Sequence, residues 1–169
     1  MEAISVIHDP AKDDYTYSDE KQFRRLSWNW ARSYDTKDWG LLRSICTPNV
    51  RVFYQQLTPD RPNKILPRDD YVELYSGRTS LGDDRLETQH LLGGVVFEKV
   101  ADDLASGDWQ IQASHRRAMQ NGQEGWWTGH SYVKHYYQKI GQDWLFAGVE
   151  PHTVVLHNGL RQHVIGHFE

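Results

Sequence analysis

Thr88-Gln89-His90-Leu91-Leu92-Gly93-Gly94-Val95-Val96-Phe97-Glu98-Lys99-Val100 decides the fold, because it opens a half-chain in which apolar side chains alternate instead of recurring every three or four residues. Four such runs follow one another: Thr88 to Val100, Ser106 to Met119, Trp126 to Ile140 and Trp144 to Leu156. The pairs Asp102-Asp103, Asn121-Gly122 and Gly141-Gln142 separate them and read as tight turns of an antiparallel meander. Alternate residues of a strand share a face. His90 thereby joins Leu92 and Val96, and His115 joins Trp109, Ile111, Ala113 and Met119 on a face that Arg117 interrupts. Ser131 shares its side with Val133, His135 and Tyr137, while the opposite side carries His130, Tyr132 and Lys134.

Upstream the period changes to that of a helix. Phe23, Leu26, Trp30 and Tyr34 recur at three- and four-residue steps, which predicts a helix from about Ser18 to Tyr34, with Asp19 and Gln22 at capping-box spacing. Asp38 caps a second helix bearing Leu41, Leu42 and Ile45, which Thr47-Pro48 ends. Val50 to Tyr54 reads as a short strand and Gln56 to Leu66 as a surface loop or flap. Pro67 in a first turn and Gly77 beyond the last frame a third helix carrying Tyr71, Val72, Leu74 and Tyr75. Helices followed by a long, mainly antiparallel sheet make an α+β domain in which a curved sheet folds over about three N-terminal helices into a cone with an interior pocket. The chain divides into an arm (1–17), this domain (18–155) and a tail (156–169) placed to cover the open end.

A chain of 169 residues with 38% hydrophobic content buries one core. The net charge of −4 arises from 19 basic and 23 acidic residues without a basic cluster, so nucleic acid is not an expected partner. Cys46 is the one cysteine, so no internal disulfide or cysteine-rich zinc site forms, which fits a reducing compartment. The mean hydropathy of −0.73 and an N-terminus without a basic, then apolar, stretch point to a soluble intracellular protein with no membrane span or signal peptide. Seven tryptophans and nine tyrosines suit a pocket for a flat ligand as well as ordinary packing.

The residues that carry chemistry are titratable groups on apolar-facing positions. An imidazole titrates near neutrality, so His90 and His115 together suffice to take a proton from carbon and return one to a leaving hydroxyl, with no metal or coenzyme. Asp35 is placed to hold one imidazole in a useful tautomer, unless it merely caps the second helix. Tyr34 and Tyr54 are donors for a ketone oxygen that gains negative charge, and Ser131 orients a histidine or a water. Histidines 152, 157, 163 and 167 lack metal-ligand spacing and read as surface or lid residues.

Ser33-Tyr34-Asp35-Thr36-Lys37-Asp38-Trp39, then Leu81-Gly82-Asp83 leading to Thr88-Gln89-His90 with Gly93-Gly94, then Gly129-His130, Lys139-Ile140 and Trp144 with Phe146-Ala147-Gly148 and Pro151, occur in that order. Over roughly Leu26 to Pro151 the chain resembles the scytalone dehydratase family of the NTF2-like (SnoaL-like) superfamily. That resemblance implies a cofactor-free hydro-lyase, a homotrimer, that removes water from a β-hydroxy ketone of a polyketide-derived polycyclic phenol in fungal melanin or other secondary-metabolite biosynthesis. The family's tyrosine–aspartate pair falls on Tyr34 and Asp35, its second tyrosine on Tyr54, its histidines on His90 and His115, and its pocket serine on Ser131. The family pattern also pairs Asp35 with His115. Where the family places a substrate-binding asparagine this sequence has Val133, a loss of about 1–3 kcal/mol for an unmet hydroxyl, so the substrate is expected to differ from scytalone. The match weakens after Pro151. Two other readings stay open: an isomerase or cyclase acting on a polyketide or terpenoid-like intermediate with the same groups, and a ligand-binding domain without activity.

Overall fold

The computed structural model describes residues 15–119 and 122–166. Most of the expected N-terminal arm, Asn121 of the expected turn, and His167 lie outside them. Helix α1 spans Tyr17–Thr36, α2 Trp39–Ile45 and α3 Arg68–Ser76. The strands are β1 Cys46–Val52, β2 Lys64–Pro67, β3 Leu86–Ala101, β4 Leu104–Ala118, β5 Glu124–Ile140 and β6 Asp143–Gly159, followed by a short 3-10 turn at Arg161–His163.

α1 begins one residue earlier than expected, and Thr16, not Asp19, is its cap. The Thr16 hydroxyl accepts from the Asp19 amide at 3.2 Å and the Asp19 carboxylate accepts from the Thr16 amide at 2.9 Å. Phe23, Leu26, Trp30 and Tyr34 all face the sheet and are buried. The helix stops where Lys37 turns left-handed (φ 55°), and Asp38 then caps α2 by accepting from the Leu41 amide at 2.8 Å. This two-residue joint leaves Tyr34 and Asp35 on the last turn of α1, against the sheet.

All six strands form one sheet in the order β2-β1-β6-β5-β4-β3. From β3 to β6 it is the expected antiparallel meander, but β1 runs parallel to β6, so the sheet is mixed. The end of the expected flap is in fact an edge strand: Lys64 to Pro67 pair with Val52 to Asn49. Pro67 lacks an amide proton, which an edge tolerates, and it caps α3 instead of occupying its first turn.

The period-two reading of β3 fails after Leu92. Leu92 pairs with Ile111 but Val95 pairs with Trp109, so one extra residue is accommodated at Gly93-Gly94. A bulge of one residue exchanges the faces beyond it. Leu92, Val95 and Phe97 therefore turn inward, with Phe97 6% exposed, and Val96 points outward at 67%.

Inside the curve of the sheet, Phe23 stacks on Tyr137 (4.6 Å between ring centroids) and meets Trp144 edge-on (4.8 Å). A polar string crosses this apolar layer. Ser27 Oγ lies 2.8 Å from His135 Nδ1 and 2.7 Å from Tyr137 Oη, and Trp109 Nε1 donates to the same phenol at 2.9 Å. Arg117, the apparent interruption of the β4 face, is fully buried: it pairs with Asp83 at 2.7 Å and donates to the Val164 carbonyl at 2.5 Å, fastening the chain after β6 to the sheet. Among the described residues no helix is long and apolar enough to cross a membrane.

Where β1 meets β6, Gly148 has φ 149°, and a Cβ there would lie 2.4 Å from Arg51 Cβ and 2.5 Å from the Arg51 carbonyl oxygen. Backbone atoms cannot retreat as a flexible side chain would. Gly148→Ala is therefore expected to lower stability by about 3 kcal/mol in denaturant titration; a loss below about 1 kcal/mol would show that the parallel junction yields easily.

Candidate active site

A cavity of about 460 Å³ opens between the end of α1, the inner face of the sheet and the chain after β6. Of the seven residues singled out in the sequence, Tyr34, Tyr54, His90, His115, Ser131 and Val133 line it. Asp35 stands behind His90.

The pairing of Asp35 differs from the expectation. Its carboxylate lies 2.7 Å from His90 Nδ1 and accepts from the His90 amide at 3.0 Å and from the Thr88 hydroxyl at 3.2 Å, so its partner is His90 and not His115. The cause is topological. β3 is the edge of the sheet, so its outward amides have no neighbouring strand, and the last turn of α1 delivers a carboxylate to one of them. An ionised carboxylate only accepts, so a neutral His90 ring donates through Nδ1 and keeps Nε2 as its basic nitrogen.

His115 is 5.6 Å from His90 between ring centroids, almost perpendicular to it, and lies on the Trp127 ring at 4.6 Å. Burial, then the neighbouring His90, push its pKa down to about 3, and its Nδ1 has no hydrogen-bond partner among the described residues. The two histidines thus differ in kind: one has a carboxylate behind it, the other is a buried neutral ring. Beneath them lies His135, which the strand pattern placed on one side with Ser131 and Val133. It is instead fully buried against Trp30 (4.6 Å) and bonded to Ser27, and burial followed by the proximity of His90 also pushes its pKa down to about 3.

The two expected phenols each have a second phenol behind them. Tyr34 Oη is 2.8 Å from Tyr71 Oη, which accepts from Trp30 Nε1 at 3.0 Å, and Tyr54 Oη is 3.2 Å from Tyr75 Oη. Burial raises Tyr34, Tyr71 and Tyr75 well above the ordinary phenol value, so all three remain protonated and act as hydrogen-bond partners. Sequence reasoning placed Tyr71 and Tyr75 on the third helix and gave them no part in the site. Their spacing of four residues, which puts two hydroxyls on one face of α3, was the available signal.

The chain after Pro151 closes the cavity with Val154, His157, Leu160, Arg161 and Ile165. β6 continues to Gly159, three residues past its expected end, and Val164 and Ile165 are buried beyond it. His152 lies apart from the cavity lining, with Nε2 2.9 Å from Asp108. Among the described residues no group of three His, Cys, Asp or Glu side chains gathers as metal ligands would.

The sequence profile of scytalone dehydratase matches residues 14–159. A scytalone dehydratase of Pyricularia oryzae is 35% identical over 142 residues, 82% of this chain and 82% of that protein. Another, from Aspergillus fumigatus, is 36% identical over 140 residues, covering 80% and 82%. Among solved structures, the Kfla4162 protein of Kribbella flavida superimposes with a TM-score of 0.68 at 18% identity, covering 83% of this chain and 93% of that one, a likeness of fold.

His115 and His135 make stability depend on pH. Each is neutral when folded down to pH about 3 but protonates near pH 6.5 when unfolded, so its contribution is whole above that value and is lost as pH falls. From about pH 6 to pH 4 the pair should cost about 2.7 kcal/mol per pH unit. Denaturant titrations of His135→Gln should show the slope reduced by about 1.4 kcal/mol per unit. An unchanged slope would mean that this ring is charged in the folded protein.

Proposed function

Because the chain belongs to the scytalone dehydratase family, we propose that it is a hydro-lyase that removes water from a β-hydroxy ketone of a polyketide-derived polycyclic phenol, in secondary metabolism such as pigment synthesis, without a metal or coenzyme. The observation that carries this reading is the Asp35–His90 pair at the wall of an apolar cavity, with protonated phenols and a second, neutral imidazole around it. In this reading Nε2 of His90 takes the acidic proton next to the ketone. The electron pair moves onto the ketone oxygen, where Tyr54 and Tyr34 donate to the forming enolate. Collapse of the enolate breaks the bond to the hydroxyl, which departs as water with the proton His90 has collected. Aromatisation of the new ring makes the step irreversible.

His115 serves here as a neutral donor to the departing hydroxyl, since burial disfavours its cation. Asp35 sets the tautomer of His90 and stabilises its charged form during the step. Ser131 and Val133 bound the ring system of the substrate. A homotrimer accords with the outward side of the sheet, where Leu91, Val96, Val155 and Leu156 are exposed together.

Val133 favours one alternative, an isomerase or cyclase using the same groups, because an apolar wall at that point has no amide to hold a substrate hydroxyl. Mass spectrometry separates the two. Incubation with a β-hydroxytetralone or an anthrone-type precursor should give a product lighter by one water. His90→Asn should cut kcat by about a hundred- to ten-thousandfold in a variant with unchanged circular dichroism. Near-normal turnover by that variant, or a product of unchanged mass, would overturn the hydro-lyase reading.

A further inference from the structure

We propose that the mouth of this cavity is an anion subsite in which Arg61 and Arg161 hold a carboxylate carried by the substrate, so that the natural ligand is an aromatic hydroxy-keto acid and not a neutral ketone. The inference deepens the hydro-lyase reading and rests on it for the ketone. Arg61 belongs to the connection between β1 and β2, and Arg161 to the turn after β6. Segments far apart in the chain thus bring two guanidinium groups to one cavity. Among the described residues neither side chain is in an ion pair, and no Asp or Glu lines the cavity. Asp35, behind the cavity wall, is taken up by His90. On its other side Arg61 borders a second cavity lined by Asp70 and Glu73, with no ion pair joining them among the described residues.

Two arginines lining an apolar chamber that has no carboxylate in its own lining are a site for an anion. A guanidinium offers a planar fork that matches a carboxylate with two parallel bonds. Arg61 Cζ lies over the Tyr54 ring at 4.5 Å to the centroid, a cation–π contact that holds the guanidinium beside that phenol. Because Tyr54 is the phenol assigned to the ketone, the carboxylate falls near the carbonyl edge of the ring system. The charges are felt inside: after burial and His90, Arg161 is among the causes that push the His115 pKa down, and Arg61 opposes the burial that raises the Tyr75 phenol. The departure at Val133 points the same way. With the floor of the pocket apolar there, polar recognition is left to the mouth.

Trp30 and Trp127 line the cavity, so their fluorescence reports binding without turnover. Titration with a hydroxynaphthoate and with the matching naphthol should show the acid bound about tenfold or more tightly, a preference that shrinks with added salt. Arg61→Gln and Arg161→Gln should each lower the ratio of the two affinities by about tenfold, and Arg161→Lys should retain part of it. The ratio is the readout because both ligands share the ring, so a general loosening of the pocket cancels. Equal affinities in the unaltered protein, or a ratio untouched by both glutamine variants, would overturn the anion site. A ratio that responds as expected, with neither a β-hydroxytetralone nor its ring carboxylate dehydrated, would support the anion site and sink the hydro-lyase.

Discussion

The carboxylate of Asp35 accepts three hydrogen bonds from one stretch of β3, and through them the helical layer is joined to the edge of the sheet. An edge amide left bare against a helix would carry the cost of an unmet donor. Satisfying it with a side chain from the last turn of α1 sets how far the helix slides along the strand. The same carboxylate fixes the ring of His90. Helix docking and histidine orientation are therefore one constraint, and the short joint at Lys37 and Asp38 is what allows it, since α1 has to end while Asp35 still faces the strand.

The interior around that contact is arranged so that ionised groups are few. His115 and His135 are held neutral by burial, and the phenols of Tyr34, Tyr71 and Tyr75 are held protonated by it. His135 and the three phenols each have a hydrogen-bond partner from another segment, which ties α1 to α3 and to β5. In the proposed reaction a proton moved from carbon to His90 would create a charge in a chamber of low polarity, and Asp35, 2.7 Å from His90 Nδ1, is the group positioned to balance it.

Much of this was legible in the residue pattern. Alternation located the four long strands to within two residues at most of their ends, and the Phe23-to-Tyr34 stripe located α1. Its failures have specific causes. A bulge at Gly93-Gly94 changes the parity of a strand without changing its composition, so Val96 and Phe97 look interchangeable until the pairing with β4 is known. The parallel junction of β1 with β6 is a non-local contact that no local period encodes. Tyr71 and Tyr75 have the amphipathic pattern of packing residues, and only the approach of Tyr34 and Tyr54 makes their hydroxyls partners. The choice between His90 and His115 as the mate of Asp35 turned on which strand forms the edge, a property of the whole sheet.

Val133 shows how recognition is divided in such a chamber. It pairs with Trp109 on one side and Pro151 on the other, and with Val149 it makes a continuous apolar wall. A wall of this kind discriminates by shape, which separates ligands differing by a methylene by only about 1–3 kcal/mol. Larger selectivity needs polar groups that are left unmatched by the wrong ligand. Such groups stand at two places in this cavity: the phenols and imidazoles, which in the proposed reaction meet the ketone, and the two arginines. Under the proposed reaction, a substrate that satisfied both ends would be held at two points along one rigid ring system, and its α-proton would thereby be fixed over His90 without any contribution from the wall beyond excluding water.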